Sequence, residues 1–250
     1  MHDAESSGLN TGKSPEYLLS EVNKIEESLM KTLYLWPMIA KMEIAKKTAE
    51  LLLQIKAIKL QPQDPFTWAS GWNSPIYCDN RLSLSYPEVR RFLCDSLVSE
   101  IKEKYGKADA IAGVATGAIA MGIMVAEAMD LPFVYVRPEA KSHGRKNQIE
   151  GQLPENAKVI VVEDLISTGG SSLKAVAALR EAGAEVLGMA ALFTYGFQVS
   201  SDNFSEANCE LFTLSNYEVL IEQAVASGYV SSEDQETLNN WRVAPDQWNK

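Results

Sequence analysis

Residues 159–173 read VIVVEDLISTGGSSL. Val159–Val162 is a short run of β-branched residues, the pattern of a strand buried on both faces of a parallel sheet. Two acids follow at once, Glu163 and Asp164. An unpaired charge inside a core is expensive. The reading is therefore that the strand stops at Val162 and the acids stand on its C-terminal rim, where open α/β sheets bind ligands. Ser167-Thr168-Gly169-Gly170-Ser171 then leads into a helix expected over Ser171–Ala182, ending at Gly183. Small residues let backbone N–H groups close around an anion, and a helix N-terminus adds partial positive charge. The hydroxyls of Ser167, Thr168, Ser171 and Ser172 can add hydrogen bonds. A loop for a phosphate beside acids for hydroxyl groups suits a sugar phosphate. The G-x-x-x-x-G-K loop of P-loop proteins and the G-x-G-x-x-G turn of dinucleotide folds are both absent here.

Around this stretch the chain alternates. Strands are expected at Ala110–Val114, Phe133–Val136, Val186–Phe193 and Glu210–Leu214. Helices are expected at Pro87–Tyr105, Ala118–Met129, Asn216–Ala226 and Ser232–Trp241, with a polar loop over 138–153. Strands alternating with helices imply a mostly parallel sheet covered on both faces, an α/β fold. Upstream, Ile44, Thr48, Leu51, Leu52 and Ile55 share a helical face. Residues 62–75 carry Phe66, Trp68 and Trp72 among prolines and glycines, the composition of a pocket wall or of a packed hood. Residues 1–40 read as an N-terminal extension, partly disordered and partly helical, and 41–250 as the main domain with its hood in 41–90.

The 250-residue chain is 46% hydrophobic and carries a net charge of −10. That balance argues against nucleic-acid binding, which needs a basic face, and against an anionic membrane surface. Ala110–Ala126 is uncharged, but Gly113 and Gly117 divide it into strand, turn and helix, so no membrane span is expected. Three widely spaced cysteines, Cys78, Cys94 and Cys209, fit a reducing cytoplasm and give no zinc signature.

Against this acidic background Arg137-Pro-Glu-Ala-Lys141-Ser-His143-Gly-Arg145-Lys146 stands out, with four cations and one acid in ten residues. Following a strand and containing Gly144, it could be a solvated basic loop or a lid closing over a pyrophosphate.

These stretches resemble a known family. VIVVEDLISTGGSS is similar to the phosphoribosyl pyrophosphate (PRPP) motif of type I phosphoribosyltransferases. The segment from Arg137 resembles the R-x-x-x-K-x-H-G loop of orotate phosphoribosyltransferases. PFTWASGWNSPIYCDNRLSLSYPEVR, residues 65–90, looks like the N-terminal block of the bacterial members, and Ala112–Gly117 like their pyrophosphate loop. The resemblance covers about residues 43–250 and implies a type I fold with a mostly parallel central sheet flanked by helices and a small N-terminal hood. It implies transfer of ribose 5-phosphate from PRPP to orotate, with Mg²⁺ carried mainly by PRPP and no metal held directly by the protein with assurance. It places PRPP on Arg137, Lys141, His143, Glu163, Asp164, Leu165, Ile166, Ser167, Thr168, Gly169, Gly170 and Ser171. Lys141, His143 and Asp164 become the catalytic residues, and Ser167 the group touching orotate. A homodimer with shared sites is expected. The chain departs from the pattern at Ala69, Gly117 and Pro138, where relatives often have lysines; Arg81 is a candidate replacement for the first. A purine phosphoribosyltransferase or a PRPP-binding regulator are the alternatives, and the chain is too short for an added decarboxylase barrel.

Overall fold

The computed structural model describes residues 37–68, 71–139 and 148–248. The chain falls into two units, Met1–Met42 and Glu43–Lys250. In the first, residues 37–42 are helical. The second begins with helical residues 43–54 (α1) and holds every element below.

Four short strands form the hood: β1 (Ile58–Leu60), β2 (Phe66–Thr67), β3 (Asn73–Ser74) and β4 (Ile76–Cys78). β1 pairs antiparallel with β4, and β2 with β3. After a 3-10 segment at Asn80–Ser85, helix α2 runs Pro87–Tyr105, opened by a proline in its first turn where no amide is missed. The core follows as β5 (Ala110–Val114), α3 (Ile119–Met129), β6 (Phe133–Val136), β7 (Ile149–Glu150), β8 (Lys158–Ile166), α4 (Gly170–Glu181), β9 (Glu185–Thr194), α5 (Gln198–Glu206), β10 (Leu211–Asn216), α6 (Tyr217–Ala226) and α7 (Asp234–Val243).

Six of these strands form one sheet, ordered β10-β9-β8-β5-β6-β7. All neighbours are parallel except β7, which returns antiparallel along β6. The expected α/β sheet is present. On one face Ile160 and Val162 pack with Leu97 and Ile101 of α2, Met121 and Val125 of α3, and Leu220 of α6. On the other, Val159 and Val161 pack with Val176 and Leu179 of α4 and Phe204 of α5. Continuous burial on both sides explains why β5 and β8 read as unbroken apolar runs.

The hood strands β1–β4 were not expected, and in the main domain β7 and α5 had no signal. β7 lies inside the stretch expected to be loop, and α5 has a Ser-, Asn- and Asp-rich sequence with weak helix preference. Both are held by tertiary contacts, β7 by pairing with Tyr135 and Val136, and α5 by burial of Phe204.

The hood is fixed by aromatic packing. The Trp68 ring lies tilted 5.2 Å from Tyr195 and edge-on 5.5 Å from Trp241, and its indole N–H donates to the Ile76 carbonyl at 3.0 Å. Trp241 is fully buried and donates to the Asn73 carbonyl at 3.2 Å. Trp68 therefore has a packing role, tying the hood to the end of β9 and to α7.

Candidate active site

The crevice lies at the C-terminal ends of β5, β6, β8 and β9. β8 is longer than its apolar run. It does not stop at Val162 but runs through both acids to Ile166, with Glu163 in register with Ala191. Glu163 is not on a rim: it is 5% exposed. Its burial is tolerated because both carboxyl oxygens are engaged. Oε1 accepts from the Asp164 amide at 2.9 Å, and Oε2 accepts from the Ser172 hydroxyl at 2.8 Å, in the first turn of α4. The Asp164 side chain interacts with that of Glu163, and its backbone is tied to the hood. Its carbonyl accepts from Asn80 Nδ2 at 2.6 Å, and its carboxylate lies against Gly117.

Burial pushes the Glu163 carboxyl up to about 8, with the charge of Asp164 as the second cause. Burial also raises Asp164, against the smaller opposing effects of its hydrogen bond with Glu163 and of the Arg81 charge. At neutral pH Glu163 thus keeps its proton, disfavoured as a charge by burial and by the adjacent acid. The consequence for stability has a definite sign. Between the ordinary value of 4.5 and about 8 the folded chain binds more protons than the unfolded chain, so stability falls as pH rises across that window. We expect the unliganded protein's Tm to drop from pH 5 to pH 8, and Glu163→Gln to remove roughly 5 °C of that drop. A variant whose Tm falls with pH as steeply as the wild type would contradict this.

The loop after β8 is held from behind by its carbonyls. Ile166 is buried, and its carbonyl accepts from the Tyr195 amide at 3.1 Å and the Thr194 hydroxyl at 3.3 Å. The Thr168 carbonyl accepts from Asn203 Nδ2 at 2.9 Å, and that of Gly169 from the Leu173 amide at 2.9 Å. Gly169 has φ +81°, and a Cβ there would meet the Phe204 ring at 2.7 Å. Only glycine lets the chain turn this close to α5. With the carbonyls turned back, the amides of the first turn of α4 lack intrahelical acceptors and are free for an anion. Ser167 and Thr168 are half-buried, Gly170 and Ser171 exposed, and Leu165 is part-buried against the core. The helix starts one residue before the expected Ser171.

The Ala115–Gly117 loop follows β5. Ala115 N–H donates to the Val136 carbonyl at 2.9 Å and Ala118 N–H to that of Val114 at 3.0 Å. Among the described residues, no other group accepts from the intervening amides of Thr116 and Gly117. A Cβ at Gly117 would run into the Asp164 carboxylate. That contact explains the departure at this position: with Asp164 so placed, a side chain on residue 117 does not fit.

Arg137 follows β6, its Nη1 3.5 Å from Glu150 Oε1 of β7. A cleft of about 160 Å³ brings it together with Ala115, Ser171 and Lys174. Lys174 was missed by sequence reasoning, although its place three residues after Ser171 puts both on one helical face. Lys141, His143 and Ala69 lie outside the described residues. Among the described residues no three His, Cys, Asp or Glu side chains converge as a metal cage, and no helix is long and apolar enough to cross a membrane.

Comparison with known proteins agrees with this geometry. The phosphoribosyl transferase domain family matches residues 88–220. An orotate phosphoribosyltransferase of Cytophaga hutchinsonii is 54% identical over 209 residues, covering 84% of this chain and 100% of that one. The crystal structure of orotate phosphoribosyltransferase from Aeropyrum pernix matches with a TM-score of 0.65 at 28% identity, over 73% of this chain and 99% of that one. A Mycobacterium tuberculosis orotate phosphoribosyltransferase solved in complex with PRPP shares the fold, at a TM-score of 0.56 and 22% identity over 71% of this chain and 98% of that one. With the acid-bearing strand, the glycine–serine loop and the parallel sheet in place, this chain belongs to the phosphoribosyltransferase family, among the orotate phosphoribosyltransferases.

Proposed function

We propose that the chain transfers ribose 5-phosphate from PRPP to orotate, giving orotidine 5′-monophosphate and pyrophosphate in UMP biosynthesis. The observation that carries this is the meeting, in one crevice, of the Asp164 carboxylate, the α4 N-terminal loop, the Ala115–Gly117 loop and Arg137. Each answers one part of PRPP. The amides and hydroxyls of Ser167–Ser171 receive the 5-phosphate. Asp164 takes the ribose hydroxyls, with Glu163 supporting it from within the strand. The amides of Thr116 and Gly117, with Arg137 and the cations of the following loop, receive the pyrophosphate.

Orotate's charge at neutral pH is on its carboxylate, so the attacking ring nitrogen gives up its proton as it bonds to ribose C1, and the departing pyrophosphate can accept that proton. The chain's work is positioning and charge stabilisation. As the bond to pyrophosphate breaks, ribose C1 gains positive character that the nearby carboxylates favour. The charge accumulating on pyrophosphate is met by Arg137, Lys141 and His143, with His143 also able to pass a proton to it. To Ser167, at the start of the loop after β8, we assign the contact with orotate.

Mg²⁺ fits this donor set as an ion arriving on the substrate: Asp164 offers a part-exposed carboxylate, while both Glu163 oxygens already accept hydrogen bonds. Its contribution is to neutralise pyrophosphate oxygens. Activity on orotate is expected to vanish with a chelator and return with added Mg²⁺; full activity in excess chelator would refute the requirement. Free cysteines and the absence of an apolar spanning helix among the described residues support a cytoplasmic setting. We further infer a homodimer in which the basic loop of each subunit completes the other's site.

A further inference from the structure

We infer that Arg81 is the residue that selects orotate, by receiving its carboxylate. The inference rests on the reaction proposed above.

The starting point is the turn that carries Arg81. Asp79 caps it, accepting from the Arg81 amide at 3.3 Å. Asn80 is 2% exposed, donates to the Asp164 carbonyl at 2.6 Å and has its own carbonyl taken by the Ser83 hydroxyl at 2.6 Å. These bonds fasten the hood turn directly to the strand that carries the ribose acids. Arg81, one residue on, is therefore fixed relative to Asp164.

Its guanidinium is fixed as well. Nε lies 2.7 Å from Asp79 Oδ1 and Nη2 lies 3.0 Å from Asp79 Oδ2, a two-pronged pairing. That pairing uses one edge of the guanidinium. Among the described residues nothing else engages the other edge, Nη1 with the second proton of Nη2, and the side chain is 57% exposed. An edge of this kind matches a carboxylate in two parallel hydrogen bonds. Arg81 also acts electrostatically on Asp164, pulling its carboxyl down against the effect of burial.

The substrate's geometry supplies the rest. Orotate attacks ribose C1 through a ring nitrogen, and its carboxylate sits on the adjacent ring carbon. With the ribose held at Asp164, that carboxylate must come within a few ångströms of the same acid. A second anion there needs a facing cation. Arg137 is on the β6–β7 side, turned to Glu150. Arg81 stands on the hood side, clamped and open at one edge. Asp79 is then a positioning residue: it restricts the guanidinium before orotate arrives.

The test is steady-state kinetics of the full chain with orotate and with uracil, the same ring without the carboxylate, for wild type, Arg81→Ala and Arg81→Gln. In both variants the orotate KM is expected to rise roughly 30-fold, with kcat and the PRPP KM changing far less. Uracil turnover should be unchanged, so the preference for orotate over uracil falls by the same factor. Arg81→Gln keeps an amide donor beside Asp79, so the question stays answerable if the alanine variant is unstable. An unchanged orotate KM in either folded variant, a parallel loss with uracil, or a rise confined to the PRPP KM would each overturn the inference while leaving the reaction standing. A wild-type protein that does not consume orotate would overturn both.

Discussion

Lys141→Ala lowers kcat on orotate by roughly 1000-fold, the upper end for removing one transition-state charge partner, and leaves Tm unchanged. The reaction's charge develops on departing pyrophosphate, and the cations able to meet it are concentrated in residues 137–146 of a chain with net charge −10. The described start of that stretch, Arg137, already lines the cleft with Ala115 and Ser171. Lys141, four residues on in the sequence, is the next of those cations. A contribution made only as the bond breaks lowers kcat and kcat/KM together. Turnover at the wild-type rate would remove the loop from the chemistry. The same variant tests sharing of sites. Mixed with Asp164→Ala and allowed to exchange subunits, it should recover about a quarter of wild-type activity, because half the dimers carry one intact composite site. No recovery after confirmed exchange contradicts a shared site.

Gly117→Ala lowers kcat/KM by on the order of 100-fold while the fold survives, measured by kinetics beside thermal melting. A single methyl at 117 occupies the space of the Asp164 carboxylate. Asp164 is a side chain and can rotate away, so the cost falls on its ribose contacts rather than on the sheet. Gly117→Lys should do no better, although relatives often carry lysine there. Undiminished kcat/KM in Gly117→Ala would show that Asp164 does not need this position.

Much of this was legible in the sequence. β5, α3, β6, α4 and β9 stood out because apolar runs and helical stripes were separated by glycine, proline and serine breakers. The loop at Ser167–Ser171 was legible for the same reason: small residues before a helix have a physical use. The extension of β8 through Glu163 and Asp164 was not. Burial rules end a strand at a charge, and what overrides them here is distant, the Ser172 hydroxyl and a carboxyl that holds its proton to about pH 8. α5 was hidden because its place comes from Phe204 and Asn203 behind the Ser167–Ser171 loop, not from its own preference. Asn80 gave no sign of reaching Asp164, because the two are 84 positions apart and meet only through the fold.

The most direct measurement follows orotate's ultraviolet absorbance with PRPP and Mg²⁺, run beside adenine, hypoxanthine and xanthine. The account predicts loss of the orotate signal, dependent on PRPP, and no turnover of the three purines. Turnover of a purine with orotate left intact would contradict it.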